Sequence, residues 1–443
     1  MSAPPVKKPF QFRRKDTTVA ATAVAQTENV FKNLVQRNKT TIEFQLTPTK
    51  VEFANTLRRA ILTEVESVGF RADIMADGTT GDVKITKNST PMSNEMLAHR
   101  VGLVPIHVAN PLEWNQDDYS FELDVTNTSA DPLDVKAADI RVLKNRGPEE
   151  DPQQIPSTEF FHLNPVSQET SLLAVLKGKV GTQEPESLKF TAKATLGIGR
   201  ENARFNPVSQ CAYKYSLDDD IARQKEFFEK WLLAHKKVNP ADLESNPQRK
   251  GELEREFKTM EIQRCFKVNE QNEPYSFDFI LESVGVLNPM YIVARAIQAL
   301  QEKCMKYASI DTGDLPETVT VGPADARMKG FDFIFSNEDH TLGNLLQTWM
   351  DINLVDKGDI TFVGYKIPHP LKDEMLLRIG VEDGKELSAR AAVAAAAAGC
   401  LAMFREWERG WAALGGTAAA VAPSPSMRTA LQKAAQQRRF PQG

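Results

Sequence analysis

Paired cysteines are the first feature that this sequence lacks. Only four cysteines occur in 443 residues, and Cys211, Cys265, Cys304 and Cys400 stand far apart. No two of them have the C-x-x-C spacing of a zinc site, so we predict no metal or other cofactor. Scattered cysteines at low density are typical of a reducing compartment, which predicts an intracellular protein.

The chain also lacks a basic excess, an apolar leader and a membrane-length apolar run. Its formal net charge is -5, which argues against a protein whose main role is to wrap nucleic acid and leaves room only for a local basic patch. Residues 1–16 contain no apolar signal-peptide core. The longest apolar run, residues 391–403, is short and rich in alanine, so we do not expect it to span a bilayer.

What the sequence does contain is a repeated unit. Residues 41–46 and 331–335 alternate like strands, and each is followed by an apolar stripe with helical spacing. One order and spacing recurs: Phe44, Leu46, Asn55 and Leu57 in the first copy match Phe333, Phe335, Asn344 and Leu346 in the second. A later helix closes each half.

One such unit cannot cover its own helix stripe, whereas two packed face to face can. We therefore predict an intramolecular pseudo-dimer and no homo-oligomer. The predicted internal interface consists of Ala54, Leu57, Ile61, Val65, Leu342, Leu345, Leu346, Trp349 and Met350.

Composition shifts divide the rest of the chain. We predict a disordered basic extension at 1–37, a linker at 311–328 and a disordered tail at 413–443.

Three motifs could suggest chemistry, and none has the spacing that chemistry needs. Residues 218–220 are consecutive aspartates, which do not easily converge on one ion. His340 and His369 have no partner ligand at metal spacing, so structural roles are favoured. Gly197 and Gly199 lack the third glycine of a dinucleotide fingerprint, and we interpret them as a tight loop that another chain approaches closely. No catalytic residue is predicted.

Several longer motifs resemble one family. The segments FANTLRRA at 53–60 and LAHRVGLVPI at 97–106 resemble signatures of alpha-like RNA polymerase subunits. LGIGRENA at 196–203, RFNPV at 204–208 and FILESVGV at 279–286 are similar to the third-largest eukaryotic subunit. EDHTLGNLL at 338–346 and FVGYKIPHPL at 362–371 resemble the eleventh subunit of RNA polymerase II or its archaeal counterpart. The halves thus correspond to the archaeal D and L types.

The resemblance implies an α+β fold of two alpha-type dimerisation domains with a β-rich insertion in the first. It places the first dimerisation domain at 38–72 and 256–310, the insertion domain at 73–255 and the second dimerisation domain at 329–412. It implies a non-catalytic scaffold of a multisubunit DNA-directed RNA polymerase, which docks the largest and second-largest subunits and small zinc-binding subunits of the tenth and twelfth type. DNA and membranes are not direct partners. Arg58, Arg59, Gly197, Gly199 and Arg200 are then expected at the large-subunit interface, where guanidinium groups suit charge-assisted bonds.

Two features depart from the family pattern. Many relatives carry a cysteine cluster for zinc or iron–sulfur in the insertion, and this chain has none there. The two subunits are normally separate chains, and their fusion resembles that of large nucleocytoplasmic DNA viruses. The expected location is the nucleus if the protein is cellular, or the host cytoplasm or virion if it is viral.

Two other classes of function would require different features of the sequence. A stand-alone metal-dependent phosphotransferase would need a convergent acidic site or a phosphate-binding loop, and neither pattern is found in the sequence. A DNA-binding factor would use the basic N-terminal segment and would show salt-sensitive binding to duplex DNA.

Overall fold

The structure is a computed structural model that describes residues 28–74, 81–146, 150–243, 246–325 and 328–416. Within those ranges the strands are β1 (Phe31–Gln36), β2 (Thr41–Leu46), β3 (Glu66–Gly69), β4 (Val83–Asn88), β5 (Tyr119–Thr126), β6 (Leu133–Lys136), β7 (Arg141–Lys144), β8 (Gln153–Ile155), β9 (Leu172–Leu176), β10 (Ser187–Ala192), β11 (Thr195–Ile198), β12 (Val208–Tyr215), β13 (Phe277–Ser283), β14 (Val319–Pro323), β15 (Gly330–Ser336), β16 (Phe362–Lys366) and β17 (Glu374–Gly380). The α-helices are α1 (Val51–Thr63), α2 (Asn94–Gly102), α3 (Ile221–Trp231), α4 (Pro240–Leu243), α5 (Pro247–Met260), α6 (Pro289–Met305), α7 (His340–Met350) and α8 (Glu386–Ala413).

The first dimerisation unit is a four-stranded antiparallel sheet in the order β1-β2-β13-β12, with α1 and α6 packed against it. The alternation of apolar and polar residues explains why this segment forms strand β2. Ile42, Phe44 and Leu46 point into the core, while the residues between them do not. Phe44 stacks on Phe279 of β13 with ring centroids 5.0 Å apart. Helix α6 begins at Pro289, where the Asn288 side chain accepts a hydrogen bond from the Met290 amide.

The second unit repeats this plan with a sheet in the order β14-β15-β17-β16 and helices α7 and α8. In both units an alternating strand leads directly into the short helix, β2 into α1 and β15 into α7. The repeat and the α+β class predicted from the sequence are therefore confirmed.

Between the strands of the first unit lie two excursions. The first is a β-rich insertion, with a five-stranded sheet ordered β4-β10-β5-β7-β8, the β6-β9 pair and helix α2 around one apolar core. The β3-β11 pair joins this insertion to the end of α1. The second excursion holds α3, α4 and α5 around Trp231, Leu232 and Phe257, between β12 and β13.

Three predicted domain boundaries are wrong, and each error concerns a strand at the edge of a sheet. Strand β1 lies in the predicted disordered extension 1–37, β12 in the predicted insertion 73–255 and β14 in the predicted linker 311–328. An edge strand needs little apolar alternation of its own, because its neighbour supplies the hydrogen bonds. The predictions for residues 1–27 and 417–443 fall outside the described residues, and α8 extends to Ala413.

Helix α8 has the length and apolar composition of a membrane span, although the sequence pattern predicted none. Half of its most apolar window is buried inside the protein. It packs on α6 of the first unit and on α7 of its own unit. Its apolar character is therefore accounted for by its place as a core helix.

Candidate subunit interface

The two units meet along a continuous contact that we call the seam. In the seam, α1 and α6 of the first unit face α7 and α8 of the second. One apolar cluster combines residues of both units, so the helix faces that neither unit covers alone are buried against each other. The predicted pseudo-dimer is thus what the chain forms.

Aromatic side chains form one end of the seam. Trp411, the largest fully buried side chain, stands edge-on to Phe31 and Phe44, with ring centroids 5.0 Å and 5.1 Å away. Its indole N–H donates a 3.0 Å hydrogen bond to the carbonyl oxygen of Met290 at the start of α6. Trp407 also contacts Phe31 at 5.9 Å. The end of α8 is therefore anchored in the first unit.

Buried charges form the other end of the seam. The Lys303 ammonium on α6 lies 3.2 Å from a Glu64 carboxylate oxygen and 3.0 Å from one of Glu338, and its side chain is 7% exposed. The Tyr307 hydroxyl donates to the second oxygen of Glu338 at 3.1 Å. Burial works against the charged lysine, but the carboxylates of Glu338 and Glu64 outweigh it and raise the pKa of Lys303. Lys303 thus stays protonated and links carboxylates of both units.

Asp339 is a second ionic link across the seam. Its carboxylate caps α7 by accepting the Thr341 amide at 2.7 Å, and it lies 3.1 Å from Arg59 and 3.3 Å from Arg200. Burial alone would raise the pKa of Asp339, but hydrogen bonds from Thr341 and the charges of Arg200 and Arg59 lower it. The Arg200 guanidinium also donates to the carbonyl oxygen of Asn337 at 2.9 Å.

Arg59 and Arg200 have partners inside the chain, and their place at a large-subunit interface stays a prediction. Both were predicted at the interface with a large subunit, yet their guanidinium groups bind Asp339 and its neighbours inside this chain. Each side chain is 29% exposed. The pattern of the first unit could not show this, because Asp339 belongs to the second unit and lies 280 residues after Arg59.

Gly197 and Gly199 also serve the chain itself. A Cβ atom at Gly197 would lie 2.6 Å from the Phe205 ring, and one at Gly199 would lie 2.2 Å from the carbonyl oxygen of Leu62. Glycine is needed at both positions because β11 is pressed against Phe205 and the residue after β11 against α1, and the approach of another chain stays a prediction.

Gly199→Ala is accordingly expected to destabilise the isolated chain by about 1–3 kcal/mol, since backbone must move to admit the methyl group. Thermal unfolding of the purified variant measures this. Gly322→Ala is the matched control, because a Cβ there meets no atom within 4 Å. Equal melting of the two variants would contradict the internal role of Gly199.

Arg58 differs from its neighbour Arg59. Its Nε and Nη2 atoms both donate to the side-chain oxygen of Asn55, at 3.0 Å and 2.9 Å. Among the described residues it has no carboxylate within ion-pair distance, and the side chain is only partly buried. It lines an open cleft of about 590 Å³, whose other residues are Asn55, Cys211, Ala212, Tyr213, Lys214, Tyr215 and Gln263.

Edge strand β12 forms one wall of this cleft. The cysteine in that wall is not a reactive group, because burial raises the pKa of Cys211 to about 12. The cleft is therefore a surface with a cation, aromatic rings and a strand edge, which suits contact with another chain better than chemistry.

The predicted interface residues divide between two clusters. Ala54, Leu57, Ile61, Val65 and Leu345 lie in the cluster that spans the seam. Leu342, Leu346 and Met350 instead lie in the core of the second unit, and Trp349 borders both clusters. A helix between a sheet and a partner buries two faces, and spacing alone did not separate them.

The motifs that had suggested chemistry are involved in local contacts. Asp218 pairs with Arg223 and Asp219 with Lys267, while Asp220 caps α3. The residues that the structure describes contain no group of three or more side chains placed to hold a metal.

The two histidines make short-range contacts. The Nδ1 atom of His340 lies 3.2 Å from the Tyr365 hydroxyl, and that of His369 accepts the Leu371 amide at 3.1 Å. Neither contact resembles a catalytic arrangement.

Sequence reasoning missed the ionic half of the seam. Glu64 and Lys303 were not singled out, and Glu338 appeared only within a family motif, although a charged residue within an apolar helix stripe is a usable signal. Arg295 on α6 is such a residue, buried and paired with Glu66 at 2.7 Å and Glu302 at 2.8 Å.

Two family models match the chain, and both describe an RNA polymerase Rpb3/Rpb11 dimerisation domain. One matches residues 43–304 and the other residues 331–409. The matches coincide with the two units, the longer one including the insertion. The chain thus carries two copies of this domain type.

Curated relatives are similar to the first half and its insertion. RNA polymerase II subunit RPB3 of Schizosaccharomyces pombe is 28% identical over 284 residues, which is 60% of this chain and 82% of that protein. Human RNA polymerases I and III subunit RPAC1 is 23% identical over 314 residues, 63% of this chain and 84% of that protein. RNA polymerase subunit Rpo3 of Methanopyrus kandleri is 28% identical over 187 residues, 41% of this chain and 59% of that protein.

Proposed function

Since this chain belongs to the RNA polymerase Rpb3/Rpb11 dimerisation-domain family, we propose that it is a non-catalytic assembly subunit of a multisubunit DNA-directed RNA polymerase. Its two units form one platform on which the two large catalytic subunits dock. The second unit occupies the position of the eleventh subunit. The contact between the two dimerisation units, which otherwise forms between two chains, therefore forms within one chain.

The observation that carries this proposal is the seam. Both apolar helix faces are buried within one chain, and the buried Lys303 and the partly buried Asp339 have partners across the contact. Linking two binding modules typically gives an effective concentration on the order of mM, so the platform forms without depending on subunit dilution. The remaining surfaces are free to bind other chains, which is what an assembly subunit needs.

The cleft at Arg58 is the surface we assign to the second-largest subunit. Arg58 has a planar donor group held in place by Asn55, and within the described part of the chain it has no carboxylate partner. A carboxylate or carbonyl group of a docking chain fits this donor, since charge-assisted bidentate bonds are the strong ones. The largest subunit and small zinc-binding subunits of the tenth and twelfth type would complete the assembly.

Location and source follow from the same proposal. The protein acts inside the cell, in the nucleus if it is cellular. If its two-unit chain belongs to a large DNA virus, the host cytoplasm or the virion is the expected place. Purification of a tagged copy from its native source, with the two large subunits at equal stoichiometry, tests the assembly role directly.

Arg58→Ala is expected to weaken co-purification of the large subunits tenfold or more. Loss of a charge-assisted bond at a desolvated interface costs about 2–5 kcal/mol, and tenfold corresponds to about 1.4 kcal/mol. The melting temperature of the isolated chain should hardly change, because the side-chain bonds of Arg58 in the described structure go to its helix neighbour Asn55. Affinity capture with quantitative mass spectrometry gives the first result and calorimetry the second.

Arg59→Ala is the matched control, because it removes the adjacent guanidinium but breaks the pairing with Asp339. This variant should lower stability while leaving the Arg58 cleft in place. If Arg58→Ala destabilised the chain and still captured the large subunits fully, the cleft would be part of the internal fold and not a docking surface.

A further inference from the structure

Two of the four cysteines, although far apart in sequence, meet in the seam. Cys304 lies in the last turn of α6 in the first unit, and Cys400 lies in the middle of α8 in the second. Both are free thiols, and both are fully buried in the apolar cluster that spans the seam. The Cys400 thiol is in hydrogen-bonding contact with the thiol of Cys304. The seam therefore holds a pair of adjacent thiols that no spacing in the sequence indicates.

The pairing of α6 with α8 explains why these two residues meet. The helices run antiparallel, because the end of α8 contacts the start of α6. Further along, the Gln301 side-chain amide donates to the carbonyl oxygen of Phe404 at 3.3 Å. One more turn toward the end of α6 reaches Cys304, and one more turn toward the start of α8 reaches Cys400. The contact is thus the next step of a regular helix pairing.

The geometry of paired helices suits a covalent bond between these thiols. A disulfide needs Cα atoms roughly 4.4–6.8 Å apart. Helices whose axes lie about 8–10 Å apart, each with Cα atoms about 2.3 Å from its axis, bring facing Cα atoms to roughly 4–6 Å. Facing positions on α6 and α8 therefore fall in the range in which a disulfide closes with little movement of either helix.

Burial determines when the pair can react. Burial raises the pKa of the Cys400 thiol, and the neighbouring Cys304 thiol raises it further, so the reactive thiolate is scarce while the seam is closed. Cys304 is the easier of the two to reach, since it lies in the last turn of α6 and the next residue, Met305, is 53% exposed. Fraying of this turn admits a small oxidant to Cys304 while the rest of the seam stays packed.

We propose that Cys304 and Cys400 are an oxidation site at which a peroxide joins the two units through a disulfide. In the frayed state the Cys304 thiolate attacks one oxygen of hydrogen peroxide, the O–O bond breaks, and a sulfenic acid forms with release of water. When the turn closes, the Cys400 sulfur attacks the Cys304 sulfur and the S–O bond breaks. The departing hydroxyl group leaves as water with the Cys400 proton. The two sulfurs are oxidised, and both peroxide oxygens end in water.

The cross-link is separate from the assembly role, because it involves neither the Arg58 cleft nor another subunit. It closes a loop of roughly 100 residues, and cross-linking a long loop restricts the unfolded chain most strongly. The oxidised chain is therefore expected to keep its two units together under conditions that separate them in the reduced chain.

Peroxide treatment of the purified full chain tests the proposal. Free thiols are then alkylated in denaturant, and the chain is digested without reductant. Mass spectrometry should find a linked pair of peptides, one with Cys304 and the other with Cys400, which dithiothreitol separates. The oxidised chain should also melt several degrees above the reduced chain.

Three variants make the test specific. Cys304→Ala should give no linked peptides and no rise in melting temperature after peroxide. Cys211→Ala combined with Cys265→Ala is the matched control, because it also removes buried thiols but keeps the pair, and it should link like the parent chain. Lys303→Ala loosens the ionic contact beside Cys304, so it should link about tenfold faster or more.

Three results overturn the proposal. Both thiols still reduced after prolonged exposure would show that the seam does not admit the oxidant. Cys304 oxidised to a sulfinic acid beside an unchanged Cys400 thiol would show that the two sulfurs do not join. Equal rates of linkage in Lys303→Ala and in the parent chain would refute entry through the last turn of α6.

Discussion

Trp411→Ala is expected to lower the free energy of unfolding by about 3–5 kcal/mol, the usual cost of removing a large buried aromatic side chain. The loss falls on the seam, because Trp411 belongs to the second unit while its contacts Phe31, Phe44 and Met290 belong to the first. Chemical denaturation measures the loss, and hydrogen exchange shows its site. Amides of α6 and α8 should exchange faster than those of the insertion.

Two controls separate packing from the hydrogen bond. Trp411→Phe keeps most of the buried ring and loses only the indole N–H, so about 0.5–1.5 kcal/mol is expected. Trp114→Ala removes a tryptophan from the insertion, where Trp114 stacks on Tyr119 at 4.8 Å, and should leave exchange in α6 and α8 unchanged. If Trp411→Ala accelerated amide exchange only in the insertion, the seam would not depend on this residue.

Lys303→Ala is expected to destabilise the chain by a similar amount, about 3–5 kcal/mol. The reason is electrostatic, because the change leaves the buried carboxylate of Glu338 without its cation and leaves Glu64 with Arg200 at 3.9 Å. Lys189→Ala is the matched control. It breaks an ion pair with Asp124 in which both side chains are about half exposed, so a loss within about 1 kcal/mol is expected. Equal losses would mean that the buried ions contribute little to the seam.

The pH dependence of stability gives an independent measurement. The pKa of Lys303 is raised above the ordinary lysine value of 10.5, so its contribution is complete below that pH and is lost as pH rises through the higher folded-state value. The pKa of Asp339 is lowered from 3.8, so its contribution is present above that pH and is lost as pH falls through the lower folded-state value. The Lys303→Ala variant should therefore lack the alkaline loss that the parent chain shows.

Apolar periodicity was sufficient to predict the two units and their pairing. Alternation identified β2 and β15, and spacing identified α1 and α7, because these elements bury one face whatever surrounds them. The family motifs added the insertion and the Arg58 surface, which no periodicity could indicate.

The parts that sequence did not predict depend on residues distant in the chain. Strands β1 and β14 exist because β2 and β15 pair with them. Arg59 and Arg200 find Asp339 only after the second unit has packed against the first. Such contacts are properties of the assembled fold, and no local pattern of residue types encodes them.

The ionic end of the seam also determines which units can pair. Lys303 comes from the first unit, while Glu338 and Asp339 come from the second, so the two contributions differ in sign. Two copies of the first unit would lack Glu338 and Asp339, so Arg59 would lose its ion-pair partner and the buried Lys303 would keep only Glu64. Mispairing between identical units is thereby penalised, and this polar asymmetry would keep the two unlike units matched even in a cell that contains many copies of the chain.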